Sequence, residues 1–416
     1  MATLQEKTKK QMERLNSIFT LLEEVTVEFN GNKLKELRLL KGWSRFELAN
    51  LLGISEQAVW QFEIKNLKPD SSTTMLELLK IFDVSITYFE KADTLDVVNV
   101  GSIAFRNGDS SSKKSIQIQR AYINKVHSIF KYLEGYLIPP QSKFLEIQKN
   151  VSHYQEIGMS LEEIANFTKS KLGVSTDNHD LLFKIECSGI NVLSKIIDID
   201  KNADAYSLWT TDNVPYIVLG KGKSAVRRNF DLAHELAHLL LHSHIDFEVL
   251  GSKELRQKEQ EADRFASFFL LPYKIFKEKF YKQVAPKVSN PKSYISLKND
   301  FNVSIQALEY RAYKLGYLTL EQNNYFYRMI SRNGYKKQEP LDDILPIKSP
   351  GKISSILDMI LKNKQISVRE LVQSQGVTIK FLVEHLDLDK SFFNFYVNKE
   401  EDYGQVIELK NHMRRA

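Results

Sequence analysis

Among 416 residues there is one cysteine, Cys187. A single thiol excludes an internal disulfide and any zinc site built from several cysteines, and it fits a reducing, cytoplasmic compartment. Glycine (17) and proline (10) are also sparse, which excludes collagen-like and low-complexity architectures. No apolar run approaches the roughly 20 residues needed to cross a bilayer. Residues 1–30 are charged rather than signal-like, so no membrane partner is expected. What remains is an ordinary globular composition, 43% hydrophobic and 26% charged, with length for two to four domains. The net charge of +6 is small, but residues 33–45 gather Lys33, Lys35, Arg38, Lys41 and Arg45 against Glu36 alone. Such a cluster fits contact with phosphates.

The organisation can be read from periodicity and breaks. Leu15, Ile18, Leu22 and Val25 have helical spacing within residues 4–25. A polar, Ser-containing stretch over 107–115 reads as a linker, and Pro286, Pro291 and residues 334–352 mark further boundaries. No repeat of fixed period is present. The expected division is an N-terminal helix over 1–30, a helical module over 31–92, a linker over 93–115, a larger domain over 116–340 with its core at 181–275, and a helical region over 341–416.

Within the second of these, Leu34, Leu37 and Leu40 form an apolar stripe. Ser44 with Glu47 makes a capping box, Gly53 supplies a tight turn, and Ser55 caps a second short helix. That helix exposes Glu56, Gln57, Trp60 and Gln61, the layout of a helix-turn-helix. The stretch "LKELRLLKGWSRFELANLLGISEQAVWQFEIKNLKPD" resembles the XRE (Cro/phage-repressor-like) family over about sixty residues. The resemblance implies binding to double-stranded DNA at an operator-like site, as a homodimer on paired half-sites. Gln57 and Gln61 would read base edges, with Ser55 and Glu56 beside them, while Arg45, Lys65 and Lys68 would meet phosphates. Trp60 stands where the family has a small or polar residue, so no target sequence follows.

The chemistry is concentrated later. His234, Glu235 and His238 form H-E-x-x-H, followed by His242 and His244. Residues four apart share a helix face, so both imidazoles of the motif can reach one metal ion, with Glu235 placed to accept a proton from water. The flanking Leu and Ala residues make the helix apolar on nearly every side, so it is buried. A third ligand is needed. His244 has metzincin spacing, but Leu241 replaces the glycine of that motif's sharp turn. His242 extends the series beyond the reach of one ion on a straight helix. The remaining source is the later helix, "LRQKEQEADRFASFFLLP", where Ala262, Phe265, Ala266, Phe269 and Leu270 form the buried stripe. Glu259 and Glu261 flank that stripe on opposite sides, and helical geometry does not choose between them.

"HELAHLLLH" followed by "EADRFASFFLLP" resembles the ImmA/IrrE family of metallopeptidases, a likeness that runs over about 181–339. It implies Zn2+ held by His234, His238 and Glu261 in a gluzincin-like site, with Glu235 as catalytic base and Glu259 solvated or outside the ligand set. The fold expected is mainly α with a small β-sheet (α+β): an all-α helix-turn-helix domain, a zincin-like α+β metallopeptidase domain and a helical C-terminal region. The implied function is a DNA-binding transcriptional regulator with zinc-dependent, site-specific endopeptidase activity, latent until triggered. Its expected substrate is a protein partner such as a repressor or antitoxin in a stress, mobile-element, phage-defence or toxin–antitoxin setting. The competing reading is a non-proteolytic transcription factor or antitoxin whose metal domain senses a ligand or binds a partner. Residues 301–316 and 366–386 resemble further helical hairpins, to which no DNA contact is assigned.

Overall fold

The computed structural model describes residues 29–99, 104–105, 113–138, 142–195, 205–247 and 249–397. The helix expected over 4–25 and most of the linker expected over 107–115 lie outside the described residues, as does the C-terminus from 398. In chain order the helices are α1 (Gly31–Leu40), α2 (Arg45–Leu52), α3 (Glu56–Lys65), α4 (Ser72–Phe82), α5 (Lys113–Glu134), α6 (Lys143–Glu156), α7 (Leu161–Leu172) and α8 (Leu181–Cys187). There follow α9 (Ala225–Leu241), α10 (Ser252–Leu270), α11 (Tyr273–Gln283), α12 (Ile295–Phe301), α13 (Ile305–Lys314), α14 (Leu320–Arg332), α15 (Lys352–Lys362), α16 (Val368–Gln375) and α17 (Ile379–His385). Four strands, β1 (Ala104–Phe105), β2 (Asn191–Lys195), β3 (Ala205–Trp209) and β4 (Pro215–Gly220), complete an α+β fold.

The chain divides into two compact units that do not follow the boundaries expected from sequence. One comprises residues 1–96, 113–137 and 357–416, and the other comprises 97–112 and 138–356. Helix α5 therefore goes with the helix-turn-helix rather than with the larger domain. The expected linker contributes a strand to the second unit, and the C-terminal region is split between the two.

In the first unit the helix-turn-helix forms as its caps dictate. Ser44 and Glu47 make both bonds of the capping box, Gly53 closes α2 in the left-handed conformation, and the Ser55 hydroxyl accepts from Ala58 N–H at 3.1 Å. Helix α1 meets α3 so closely that a Cβ on Gly31 would sit 2.1 Å from the Phe62 carbonyl oxygen. Any side chain there would separate the two helices. A second hairpin, α16–α17, repeats the same spelling. Ser367 and Glu370 form a capping box, Gly376 takes φ +66°, and Thr378 caps α17. It docks by main chain, with Ser85 N–H donating to Gly376 O and Thr378 N–H to Asp83 O, each at 2.9 Å. Lys380 then pairs with Asp83 at 2.6 Å and Glu384 with Lys41 at 2.8 Å.

In the second unit the strand order is β1-β3-β4-β2, with β2 parallel and β3 antiparallel to β4, and β1 antiparallel to β3. The stretches "CSGINVLSKIID" and "VPYIVLGKG" supply β2 and β4, and every residue of β4 is buried. A strand buried on both faces needs cover on each, and one face is taken by α9, which packs on β3 and β4. In α9 every residue but Arg227 and Phe230 is buried. Its apolar side chains join one core that runs from Phe144 to Ile330. At about 1.5–3 kcal/mol for each large apolar side chain removed from water, that packing can hold polar groups in the interior.

One such group carries no evident role in the centre described below. Glu309 on α13 is 0% exposed, and burial raises its carboxyl to about 7, with the hydrogen bonds from Tyr327 and Asn323 opposing only in part. The folded chain therefore holds a proton that the unfolded chain has released between about pH 4.5 and 7, so this group costs stability as pH rises through that window. Glu309→Gln is expected to raise the melting temperature by a few degrees at pH 8 and to leave it little changed at pH 5, read by thermal denaturation at both pH values.

Candidate functional site

Helices α9 and α10 pack against each other, and their facing side chains build one polar cluster in this apolar setting. His234 Nε2 and His238 Nε2 lie 3.0 Å apart, and Glu259 places one carboxylate oxygen 3.3 Å from each. These three residues are the group able to hold a metal ion among the described residues. Donors about 2.0–2.1 Å from a tetrahedral ion stand a little over 3 Å from one another, about the separations seen here.

The third residue differs from the one the sequence reading favoured. Glu259 and Asp263 are four apart on α10 and share the face turned to His234, whereas Glu261 lies two residues on from Glu259, about 200° around the axis. Glu261 meets His242 instead, at 3.1 Å, and Lys258 at 3.1 Å. His244 is exposed and outside the cluster. His242, too far along a straight helix to join the other two at one ion, sits behind His238, with the two Nδ1 atoms 3.0 Å apart.

Around the three donors, a second set of contacts fixes the rings. His234 Nδ1 faces Asp263 Oδ1 at 2.9 Å. With Nε2 of each motif histidine turned into the cluster, each Nδ1 carries the hydrogen: His234 donates to Asp263, and His238 donates to His242. The hydrogen of His242 then sits on Nε2 and is donated to Glu261. Two bare nitrogen lone pairs and a carboxylate facing one another repel unless a cation lies among them. Glu259 Oε1, moreover, is buried without a hydrogen-bond partner. The donor set thus fits a divalent cation of the borderline kind that imidazole and carboxylate favour.

The electrostatics agree. Burial would raise the Glu259 carboxyl, but the two imidazoles outweigh it and hold the group well below the usual carboxylate range. Glu261 is held down to about 2, chiefly by its hydrogen bond to His242, and burial lowers His242 to about 4, so that ring is neutral at pH 7. Glu235 is 2% exposed and accepts from the Ser207 hydroxyl of β3 at 2.7 Å. Trp209, two residues on and so on the same face of β3, donates to the Leu239 carbonyl at 3.2 Å. A solvent-open hollow of about 230 Å³ lies beside His238, lined by Ser207, Trp209, His242, Ile245 and Phe247. Sequence reasoning missed Asp263, for which the i, i+4 spacing from Glu259 was the available signal. It also missed Ser207, for which there was none.

The candidate DNA-facing residues are placed less uniformly. Ser55, Glu56, Gln57 and Lys65 are exposed on or beside α3, and Gln61 and Lys68 are partly so. Lys65 lies over the Trp60 ring at 5.5 Å. Arg45 is tied inward, its Nε 2.7 Å from Glu63, which Arg38 also grips at 2.5 and 3.0 Å. Lys33 is buried against Thr94 and Glu36, and Lys41 meets Glu384. Of the five basic residues in the run, Lys35 alone is exposed. The charge that clusters in sequence is thus largely neutralised in space, because helix α1 turns most of it to the interior.

Metal content separates the two glutamates. Glu259→Ala is expected to purify without stoichiometric zinc by elemental analysis. Glu261→Ala is expected to keep zinc but to bind it about 10–100-fold more weakly in chelator competition, since it loses only the brace behind His238.

Comparison with known proteins bears on this half of the chain. Residues 185–313 match the family model of Peptidase M78, the IrrE N-terminal-like domain, so the second unit carries a metallopeptidase-like domain. No curated protein matches the chain. Among solved structures, a Mycobacterium tuberculosis transcriptional regulator aligns at 16% identity with a TM-score of 0.26, covering 40% of this chain, and the chain spans about half the length of that protein.

Proposed function

We propose that the protein is a DNA-binding regulator whose second unit hydrolyses a peptide bond in a protein partner, using one zinc ion held by His234, His238 and Glu259. The observation that carries this reading is a proton acceptor, Glu235, held by Ser207 next to three converging donors. A structural metal site needs no such group. A divalent cation at the donors supplies Lewis acidity to a carbonyl and acidifies water. Glu235 takes a proton from the attacking water and returns it to the leaving amine, and Ser207 fixes the carboxylate for both transfers. Asp263 and the His242–Glu261 pair hold the two imidazoles in the tautomer that presents Nε2. The hollow beside His238 takes one side chain of the substrate and so contributes to the choice of bond.

For the first unit, α3 carries the reading of DNA. Gln57 and Gln61 lie one turn apart on it, and a glutamine amide pairs bidentately with adenine. With most of the basic run neutralised internally, base contacts carry a larger share of this binding than a charge count suggests. Substrate and operator are those of a regulatory circuit, with a repressor or antitoxin-like protein as the class cleaved and a homodimer as the form bound to paired half-sites.

Two measurements test these readings. In cells expressing the full chain, labelling of new protein N-termini is expected to reveal a small set of cut sites that falls by about 10²–10⁴-fold in Glu235→Gln at unchanged zinc content. An identical set in both would overturn the hydrolytic reading. For DNA, duplexes selected from a random pool are expected to lose about 1–3 kcal/mol of preference over unselected duplex for each amide removed in Gln57→Ala/Gln61→Ala. An unchanged preference at matched salt would remove these residues from base reading.

A further inference from the structure

Strand β3 carries the proton acceptor's partner, Ser207, on the face turned to α9. Along one side it pairs with β4 through all five residues, from Ala205↔Leu219 to Trp209↔Pro215. Along its other side the cover is slight. β1 pairs at Ala104↔Ser207 and Phe105↔Tyr206, and beyond the end of β3 there is a bridge Val98↔Thr210, with Thr211 N–H donating to Val97 O at 2.9 Å. These two contacts are not in one register. From Val98 to Ala104 the covering chain advances six residues, while its partner steps back three, from Thr210 to Ser207. Two short, unregistered contacts are far weaker than the five-residue ladder on the opposite side, so β1 is the strand most easily lifted from this sheet. It also lies opposite the very residue that holds Glu235, along the hollow that Ser207, Leu208 and Trp209 help to line.

We propose that the β3 edge is a docking strip for an extended polypeptide, and that the chain's own backbone at Val97–Val98 and Ala104–Phe105 occupies it in cis, so that a protein substrate must displace it. The proposal rests on the hydrolytic reading above. A peptide taking the place of β1 gains the same main-chain pairing and directs alternate side chains towards α9 and the hollow. Because β1 is part of the same chain, it competes at an effective concentration of about millimolar, which a micromolar substrate overcomes only with additional contacts. A partner whose side chain fills the hollow has those contacts, whereas an arbitrary peptide has not. This accounts for selectivity without a deep pocket.

The test uses the full chain carrying Glu235→Gln, so that no probe is cut. Consecutive amides in a strand point to opposite sides, so Ala104→Pro/Phe105→Pro removes whichever one faces β3. The probe is a fluorescent synthetic peptide of this chain's own residues 97–108, VVNVGSIAFRNG. The double variant is expected to bind it at least about tenfold more tightly than the Glu235→Gln parent, by anisotropy. Amide exchange across Ala205–Trp209 is expected to be faster without the peptide and to slow when it is added. Val98→Asp leaves both amides in place and sets a charge where the Val98 side chain is buried, so it must move both readouts the same way even if the double variant loses its fold by circular dichroism. Equal affinity and unchanged exchange in Val98→Asp and in the folded double variant would overturn the proposal. Neither readout depends on cleavage. If no cut sites are ever found while β3 still opens and takes the probe, the hydrolytic reading falls and the cis occupancy stands. If cut sites appear at equal rates with and without Val98→Asp in the Glu235 protein, the occupancy falls and the hydrolytic reading stands.

Discussion

Two imidazole nitrogens and a carboxylate, each about 3 Å from the others, are held together by helices whose remaining surfaces are leucine, alanine and phenylalanine. Such a cluster cannot relax by moving into water, and it cannot stay uncompensated where it is. The neighbouring polar groups follow from that constraint. Asp263 and His242 stand behind the two rings, Glu261 and Lys258 extend the second of these contacts towards the surface, and Ser207 reaches across from the sheet to the one carboxylate that does not face the donors. The apolar packing of α9 and α10 thereby sets the electrostatics of the centre.

The first unit is governed by an analogous constraint with the signs arranged differently. Glu63 is 1% exposed, and the guanidinium groups of Arg38 and Arg45 both close on it. Removing one partner of such an arrangement leaves a buried charge without compensation, a cost of about 3–5 kcal/mol. These arginines thus join three helices and do so at the expense of charge that an exposed surface would present to phosphate. The amides on α3 stand outside this arrangement.

Much of this was legible from local signals. Ser44, Glu47, Gly53 and Ser55 specify the α2–α3 turn within a dozen residues, and the stripe from Ala262 to Leu270 announces which face of α10 is buried. The choice between Glu259 and Glu261 was not legible. Both border that stripe, and only the placement of α9 against α10 decides which one meets the motif histidines. The ImmA/IrrE likeness, carried onto the wrong one of two glutamates, illustrates how a two-residue offset on a helix changes the partner entirely. The basic run misled for a related reason, since summing charge along the chain ignores which way each helix face turns. Strands β1 and β3 are short, and β1 owes its existence to pairing rather than to any pattern of its own.

The path of the chain has a consequence of its own. It passes from one compact unit to the other after residues 96, 112, 137 and 356, so neither unit is a continuous length of polypeptide. One nick at any of these crossings severs a single covalent thread and leaves others intact, and a fragment ending at residue 96 lacks α5, α16 and α17. A regulator built in this way cannot shed its DNA-reading half by simple clipping, as beads-on-a-string proteins do. A signal arising in one half must instead reach the other through an uncut molecule.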